Sequence, residues 1–504
     1  MVGVDVGSQG TCAQALEPDG TLVASSYAAH ALSYPAPGWA EQDPEQWRRA
    51  LAQTLAHLRL QTAGRRVAAV SFGSQLDGLV ACDAHGRALR PALIWSDRRA
   101  QRECAELAGA AAGDVSRLRA MTGCNLDPGH VAAKIAWVHA HEPELVRDCS
   151  WYLLPGSWIA LQASGELAVD PTNASSTALL DPRALDWSET ACATFGVDPD
   201  RLAPVHPPDR VLGTIAPWLR EATGLDADVQ VVLGAGDEMA AVLGAGVTEP
   251  GEVCDVMGTA EPVCAVVSDP ILEAPPVVEL HPHALPGRWL LENPGWLSGG
   301  AYRWFRDELG GPEVARAAAT GADVYELLNE LARGAPAGCD GVLWVPALSG
   351  AMTPEWNPRA RAGWLGLTAA HGRAHLARAL LEGNALALRD VIDAIRACGQ
   401  PARRLVCVGG GARGELLLAI RANVTGLPTC RTDDVETTAR GAAMLAAAGA
   451  GLHPSIAQAA REMAAPRRQA LEPDPRLCAV YDAVHARHRR LYEALRAVFD
   501  AGGE

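Results

Sequence analysis

Residues Val231–Gly246 read "VVLGAGDEMAAVLGAG". A β-branched apolar run enters a glycine turn, the carboxylates of Asp237 and Glu238 stand at the turn, and small residues follow. The pattern predicts a buried strand, a tight turn and the start of a helix. A carboxylate at a strand end, beside glycines, is well placed to take a proton as a general base. It is also placed to cap the helix that starts near Glu238.

Two stretches on either side share one design. Val2–Leu16 alternate as "VGVDVGSQGTCAQAL", "EPDG" turns and "TLVASS" continues, which predicts a β-hairpin with a Pro-Asp-Gly turn. Within it, "DVGSQGT" (Asp5–Thr11) is a tight glycine turn whose backbone N–H groups can hold phosphate oxygens. Asp5 at its start is suited to Mg²⁺, through water. "GEVCDVMGTAEPVCAVVSDP" (Gly251–Pro270) repeats strand, turn and strand around Gly258 and Thr259. Two such hairpins predict two related halves that grip a polyphosphate from both sides.

The rest of the chain alternates strands and helices. "DPEQWRRALAQTLAHL" (Asp43–Leu58) has an Asp cap and Pro at the first helical position. "RVAAVSFGSQLDGLVACDAHGRAL" (Arg66–Leu89) reads as strand, glycine loop, strand and turn. A long helix is expected over Gly372–Cys398, a close-packing helix over "ETTARGAAMLAAAG" (Glu436–Gly449), and a final one over Arg476–Phe499. The class is α/β, with a boundary near Gly246 to Gly251 and domains at 1–246 and 247–504.

Composition prunes the functions. A chain of 504 residues exceeds one compact core. Hydrophobic residues at 49% and charged residues at 20% are ordinary for a globular protein. No apolar run reaches membrane-spanning length, and "MVGVDVGSQG" starts directly in a strand pattern, so a cytoplasmic location is expected. The 13 cysteines never form C-x-x-C, which argues for small buried hydrophobes over disulfides or zinc. Net charge is -16 and the arginines are dispersed among acids, so nucleic acid is not an expected partner. Lys134, in "AAKIAW" on a plausible amphipathic helix, is the only lysine; this excludes a Walker loop and leaves one candidate for Schiff-base chemistry.

"VCVGGGARGELLLAI" carries Gly409, Gly411 and Gly414 in G-x-G-x-x-G spacing, with Asp433 and Asp434 about twenty residues on, as in a dinucleotide fingerprint. "PTCRTDDVETTARGAAM" then moves quickly to a helix, without the parallel strand of a Rossmann unit. A glycine turn beneath an adenosine explains the motif equally. "PGWAEQDPEQW", "SFGSQLDGLV" and "IWSDRRA" mix aromatic, acid and amide side chains in short loops, which suits a hydroxyl-rich ligand.

The colinear order "DVGSQGT", "GWAEQDPEQW", "SQLDG", "WSDRRA", "VVLGAGDEMAAVLGAG", "VMGT", "GWLGL", "GGGARGE" resembles the FGGY carbohydrate kinases, closest to their xylulokinase branch. The resemblance implies a two-domain actin/hexokinase/Hsp70-like (ribonuclease H-like) fold, with ATP in the interdomain cleft and the sugar deeper, mainly on the N-terminal domain. It implies Asp237 as catalytic base, and Asp5 with Asp237 near Mg²⁺ and the phosphates. Gly7, Ser8 and Gln9 resemble the first phosphate hairpin, and Gly258 and Thr259 the second. Gly410, Gly411 and Ala412, with Glu415, resemble the adenosine loop, with Gly299 and Gly300 of "SGGAYRW" nearby. Gln75, Leu76, Asp77, Trp95 and Glu238 match sugar-facing positions. The implied partners are a small-molecule sugar and ATP, without nucleic acid or membrane, and a homodimer is left open.

Three positions depart from the family pattern. Leu76-Asp77 stand where xylulokinases carry Met-His, Glu238 stands where they carry Asn, and Cys12 stands where many members have a basic residue. Two added carboxylates accept hydrogen bonds from hydroxyls and repel an anion. The expected substrate is therefore a neutral pentulose such as D-xylulose, or a pentitol, tetritol, L-xylulose or ribulose, over gluconate. A dinucleotide-dependent oxidoreductase and a non-catalytic actin-like ATPase are the rival readings.

Overall fold

The computed structural model describes residues 1–110 and 114–501. Strands β1 (Val2–Val6), β2 (Gly10–Leu16) and β3 (Leu22–Ala29) form an antiparallel meander. The stretch 2–16 therefore breaks at its glycines into two strands, and the Pro-Asp-Gly turn is the second of two turns. The meander continues into β4 (Ala69–Ser74), parallel to β1 with Val2 opposite Val70. After the edge strand β5 (Val211–Thr214) comes β6 (Gln230–Gly236), parallel to β4. The order is β5-β6-β4-β1-β2-β3.

The second sheet repeats this plan. It contains β7 (Glu252–Val256), β8 (Val263–Val267), β9 (Glu279–Pro282), β10 (Trp289–Asn293), β11 (Arg404–Val408) and β12 (Thr429–Arg431), in the order β9-β10-β8-β7-β11-β12. In both sheets three antiparallel strands lead into two parallel ones: β3-β2-β1-β4-β6 corresponds to β10-β8-β7-β11-β12. One expectation is corrected here. "PTCR" does form a strand, β12, parallel to β11 with Leu405 opposite Thr429. The surrounding sheet is nevertheless mixed, unlike the parallel sheet of a dinucleotide fold.

Helix α1 (Pro44–Gln61) starts where the Asp43 side chain accepts from the Glu45 N–H, and its buried Trp47, Leu51, Leu55 and Leu58 join the core of the first half. Helix α2 (Val131–His141) is buried over most of its length, Lys134 included, so it is a core helix and not the amphipathic one expected. Helices α3 (Asp237–Gly244), α4 (Ser298–Leu309), α5 (Arg373–Ala397), α6 (Glu415–Thr425), α7 (Thr437–Gly449) and α8 (Pro475–Ala501) follow.

Two of these helices join the halves. α7 leaves the second sheet yet packs on β1, β2 and β4 of the first. α3 leaves the first sheet, and its Met239, Val242 and Leu243 share a core with Cys254, Cys264 and Val406 of the second. The helices cross so closely that a Cβ on Gly441 would lie 1.9 Å from the Ala240 carbonyl oxygen, and one on Gly244 2.0 Å from that of Thr437. All thirteen cysteines are unpaired and eleven are buried, as expected of small hydrophobes. No described helix is long and apolar enough to cross a membrane.

Candidate active site

β6 delivers its last residue, Gly236, against Leu76; a Cβ there would meet Leu76 Cδ2 at 2.3 Å. The Gly236 N–H donates to Thr172 Oγ1 at 2.7 Å, which pins the turn. Asp237 opens α3, and its Oδ1 accepts from the Glu238 N–H at 3.0 Å. It therefore caps the helix in part while its half-buried carboxyl stays within electrostatic reach of Asp5, Asp77 and Glu292. Burial raises its pKa, opposed by backbone hydrogen bonds and reinforced by the charges of Asp77 and Glu292.

Asp5, on β1, has a buried Oδ1 without a hydrogen-bond partner. Burial, then the charges of Asp237 and Glu436, hold its pKa well above the carboxylate range. A bare buried carboxylate oxygen within electrostatic reach of a second carboxylate is the oxygen donor set of a hard divalent cation. These residues fit the metal that ATP-dependent phosphoryl transfer generally uses.

The loops that carry Ser8, Gln42, Gln75 and Trp95 form one hydrogen-bonded group. Trp95 Nε1 donates to Ser8 Oγ at 2.8 Å and Gln42 Nε2 to the Ser8 carbonyl at 2.6 Å. Gln75 Nε2 donates to Gln42 Oε1 at 2.8 Å. Ser8 is thus turned toward the Gln75 and Trp95 side of the turn, while the Gly7 N–H closes it on the Gly10 carbonyl at 3.1 Å. The Trp95 ring is exposed. Asp77 has a φ of 57°, a left-handed conformation that non-glycine residues seldom adopt. Its N–H donates to Ser176 Oγ at 3.3 Å, and its Oδ1 lies 3.1 Å from His130 Nδ1. Lys134 Nζ donates to the carbonyls of Asp77 and Gly129. Glu238 Oε2 is buried without a partner. Burial, then the charges of Glu292 and Asp237, raise the Glu238 pKa well above its usual range.

On the other side a cavity of about 510 Å³ opens between β7–β8, α4 and the turn after β11; Gly258, Thr259, Gly299, Gly410 and Gly411 line it. A Cβ on Gly299 would lie 2.2 Å from the Gly258 carbonyl oxygen, so glycine lets α4 approach the second hairpin. The Gly300 N–H donates to the Thr259 carbonyl and the Gly411 N–H to that of Met257, each at 3.0 Å. A Cβ on Gly410 would meet nothing within 4 Å, so that backbone faces open space. Gly300, Ala412 and Glu415 do not line the cavity; Ala412 is buried under the turn and Glu415 is exposed.

Sequence reasoning missed several groups. Arg303 Nη2 donates to Thr259 Oγ1 at 2.9 Å, and Arg413 also lines the cavity. Arg421 is buried and ties the second hairpin from below, donating to Asp255 Oδ2 and Glu261 Oε1, each at 2.6 Å. His130, Glu279, His281 and Glu292 also went unread. The alternation of "ELHP", which puts Glu279 and His281 on one strand face, was the available signal for two of them.

Residues 1–244 match the FGGY family of carbohydrate kinases, N-terminal domain, and residues 255–450 its C-terminal domain. The xylulose kinase of Escherichia coli (strain K12) is 33% identical over 98% of this chain and 99% of that protein. The gluconokinase of Bacillus subtilis (strain 168) is 28% identical over 88% of this chain and 86% of its own. The crystal structure of xylulose kinase from Rhodospirillum rubrum superposes with a TM-score of 0.89 at 30% identity, covering 99% of each chain. The chain belongs to the FGGY family of carbohydrate kinases and is an ATP-dependent carbohydrate kinase.

Proposed function

We propose that the protein transfers the γ-phosphoryl group of ATP to a hydroxyl of a neutral ketose or polyol, with D-xylulose the first substrate to test and Asp237 the general base. The observation that carries this reading is the setting of Asp237: half-buried at the start of α3 just after β6, next in sequence to Glu238, and within electrostatic reach of Asp5 and Asp77. An attacking hydroxyl must lose its proton during transfer, and the Asp237 carboxylate can accept it. Mg²⁺, held by Asp5 and Asp237, would offset the charge of the phosphates. The two glycine hairpins, Gly7–Gln9 and Gly258–Thr259, would bind phosphate oxygens through backbone N–H groups, and Gly410–Gly411 would support the adenosine. On this reading residues 1–246 are the sugar-binding domain and 247–504 the ATP-binding domain.

The charge of the sugar side favours a neutral substrate. Asp237 and Glu238 are within electrostatic reach of one another, and each is within reach of both Asp77 and Glu292. The neighbouring cation, Lys134, already donates to two backbone carbonyls, and His130 already faces Asp77 and Glu279. A sugar acid would meet these carboxylates while Lys134 and His130 are already engaged. Pentitols, tetritols, L-xylulose and ribulose share the neutral, hydroxyl-rich chemistry and belong in the same screen.

The test is Asp237→Asn. Turnover with the best neutral substrate should fall by roughly 10² or more, the scale of general-base loss, while ADP binding and thermal stability stay close to wild type. Near-normal turnover in the folded variant removes Asp237 from the role.

A further inference from the structure

In the β9–β10 ladder Glu279 stands directly opposite Glu292, and both are buried. Like charges opposed across a ladder destabilise the pairing, so the arrangement needs compensating partners. His281, two residues from Glu279 on the same strand face, supplies one. Its Nε2 lies 2.9 Å from Glu292 Oε2 and 3.7 Å from Glu279 Oε2. His130 supplies the other, with Nε2 3.4 Å from Glu279 Oε1.

The remaining nitrogen of each ring reaches into the first half. His281 Nδ1 lies 2.9 Å from Ser175 Oγ, and His130 Nδ1 lies 3.1 Å from Asp77 Oδ1. Arg119 holds the approach to β9 by donating to the carbonyls of Ala274, Pro275 and Val278 at 2.9, 3.0 and 2.6 Å. A continuous chain results: Asp77, His130, Glu279, His281, Glu292. It begins at one sugar-facing carboxylate and ends near another, because Glu292 lies close enough to Glu238, whose buried Oε2 has no partner, for its charge to add to burial in raising the Glu238 pKa.

We propose that the β9–β10 hairpin is the second wall of the sugar site: Glu292, with Glu238 and Asp77, contacts the hydroxyls of a neutral polyhydroxylated substrate, and His281, Glu279 and His130 are positioning residues. The proposal rests on the functional reading above. It adds that sugar selection depends on a strand pair of the second sheet. The chemistry is that of three carboxyl groups set round a chain of hydroxyl donors. Bridging imidazoles fix two of them so that they do not swing apart when the ligand leaves.

The experiment uses the full-length enzyme, its best neutral substrate, and the variants Glu292→Gln and Ser175→Ala. Glu292→Gln should raise the sugar KM at least tenfold while the ATP KM stays within twofold. Ser175→Ala, which removes only the hydroxyl on His281 Nδ1, should raise the sugar KM about threefold to fivefold with kcat nearly unchanged. A sugar KM unchanged in folded Glu292→Gln overturns the proposal. Should that variant not fold, an unchanged sugar KM in Ser175→Ala overturns it. A wild type that phosphorylates gluconate and no neutral ketose or polyol sinks the underlying functional reading before any variant is made. Glu279, His281 and Glu292 also have the spacing of a metal centre. One equivalent of metal retained by dialysed wild type, and lost in His281→Asn, overturns the proposal in favour of such a centre; no retained metal supports the imidazole–carboxyl chain.

Discussion

Asp77 and Glu238 are where the chain departs from the xylulokinase pattern, and each is now tied to a partner. Asp77 faces His130, and burial together with the Glu292 charge raises the pKa of Glu238. Burial and crowded like charges hold that pKa well above its usual range, so an added anion is disfavoured and a neutral, hydroxyl-rich substrate fits better. A neutral pentulose or polyol should beat gluconate by at least about tenfold in kcat/KM, about 1.4 kcal/mol of transition-state discrimination. Competing-substrate kinetics decide it, and a preference for gluconate ends the electrostatic argument. The double variant Asp77→His with Glu238→Asn should shift preference toward D-xylulose. It must also give up the contact with His130, so a loss of total kcat/KM should accompany the shift; strong D-xylulose preference already in the wild type would make the two departures neutral.

At the scale of elements, the α3–α7 crossing is closely constrained. Gly244 and Gly441 each face a backbone carbonyl, which cannot rotate away as a side chain can. Gly441→Ala should therefore cost about 1–3 kcal/mol of stability, the range of overpacking, read as a lower melting temperature with reduced kcat. Gly258 behaves oppositely. A Cβ there would meet only the Ala260 carbonyl oxygen, at 3.3 Å, on the cavity side of the turn. Gly258→Val should keep the fold and raise the KM for ATP more than that for sugar; equal effects on both would indicate general misfolding. What the sequence disclosed at this scale was local. The Asp43 cap, the long helix α5, the two glycine hairpins and the tight face of α7 all announce themselves within a few residues. β12 was missed because three residues, Thr429–Arg431, carry too little period to be read, and they form a strand only because β11 lies beside them. Lys134 was misread because burial of an ammonium depends on two carbonyls brought from outside its helix. The candidate site was legible where its residues sit at or beside glycine turns, as at Asp5, Asp237 and Gly258. It was illegible where side chains from both sheets converge, as at His130, His281 and Glu292.

At the scale of the molecule, the chain from Asp77 to Glu292 ties one half to the other, and its ionisation sets a pH window. Burial alone would lower the pKa of His281, but hydrogen bonds to Glu279 and Glu292 outweigh it and push it up to about 9. A folded pKa above the unfolded value of about 6.5 means that this stabilisation is full below about pH 6.5 and is lost as pH rises through about 9. Burial would raise Glu279, but His130 and His281 hold it well below the carboxylate range. Its contribution is present above the unfolded value of about 4.3 and is lost as pH falls through the folded one. The melting temperature of wild type should fall between pH 7 and 10 more steeply than that of His281→Gln; parallel curves would show that His281 does not carry the effect. One further consequence belongs to the lone lysine. Its amine is fully buried, and burial lowers its pKa to about 8, which would make an exposed amine ready to condense with a carbonyl. The folded protein thus offers no lysine to glycation by reducing sugars, and an amine-acylating reagent would register Lys134 only when the packing around Asp77 and Gly129 comes open.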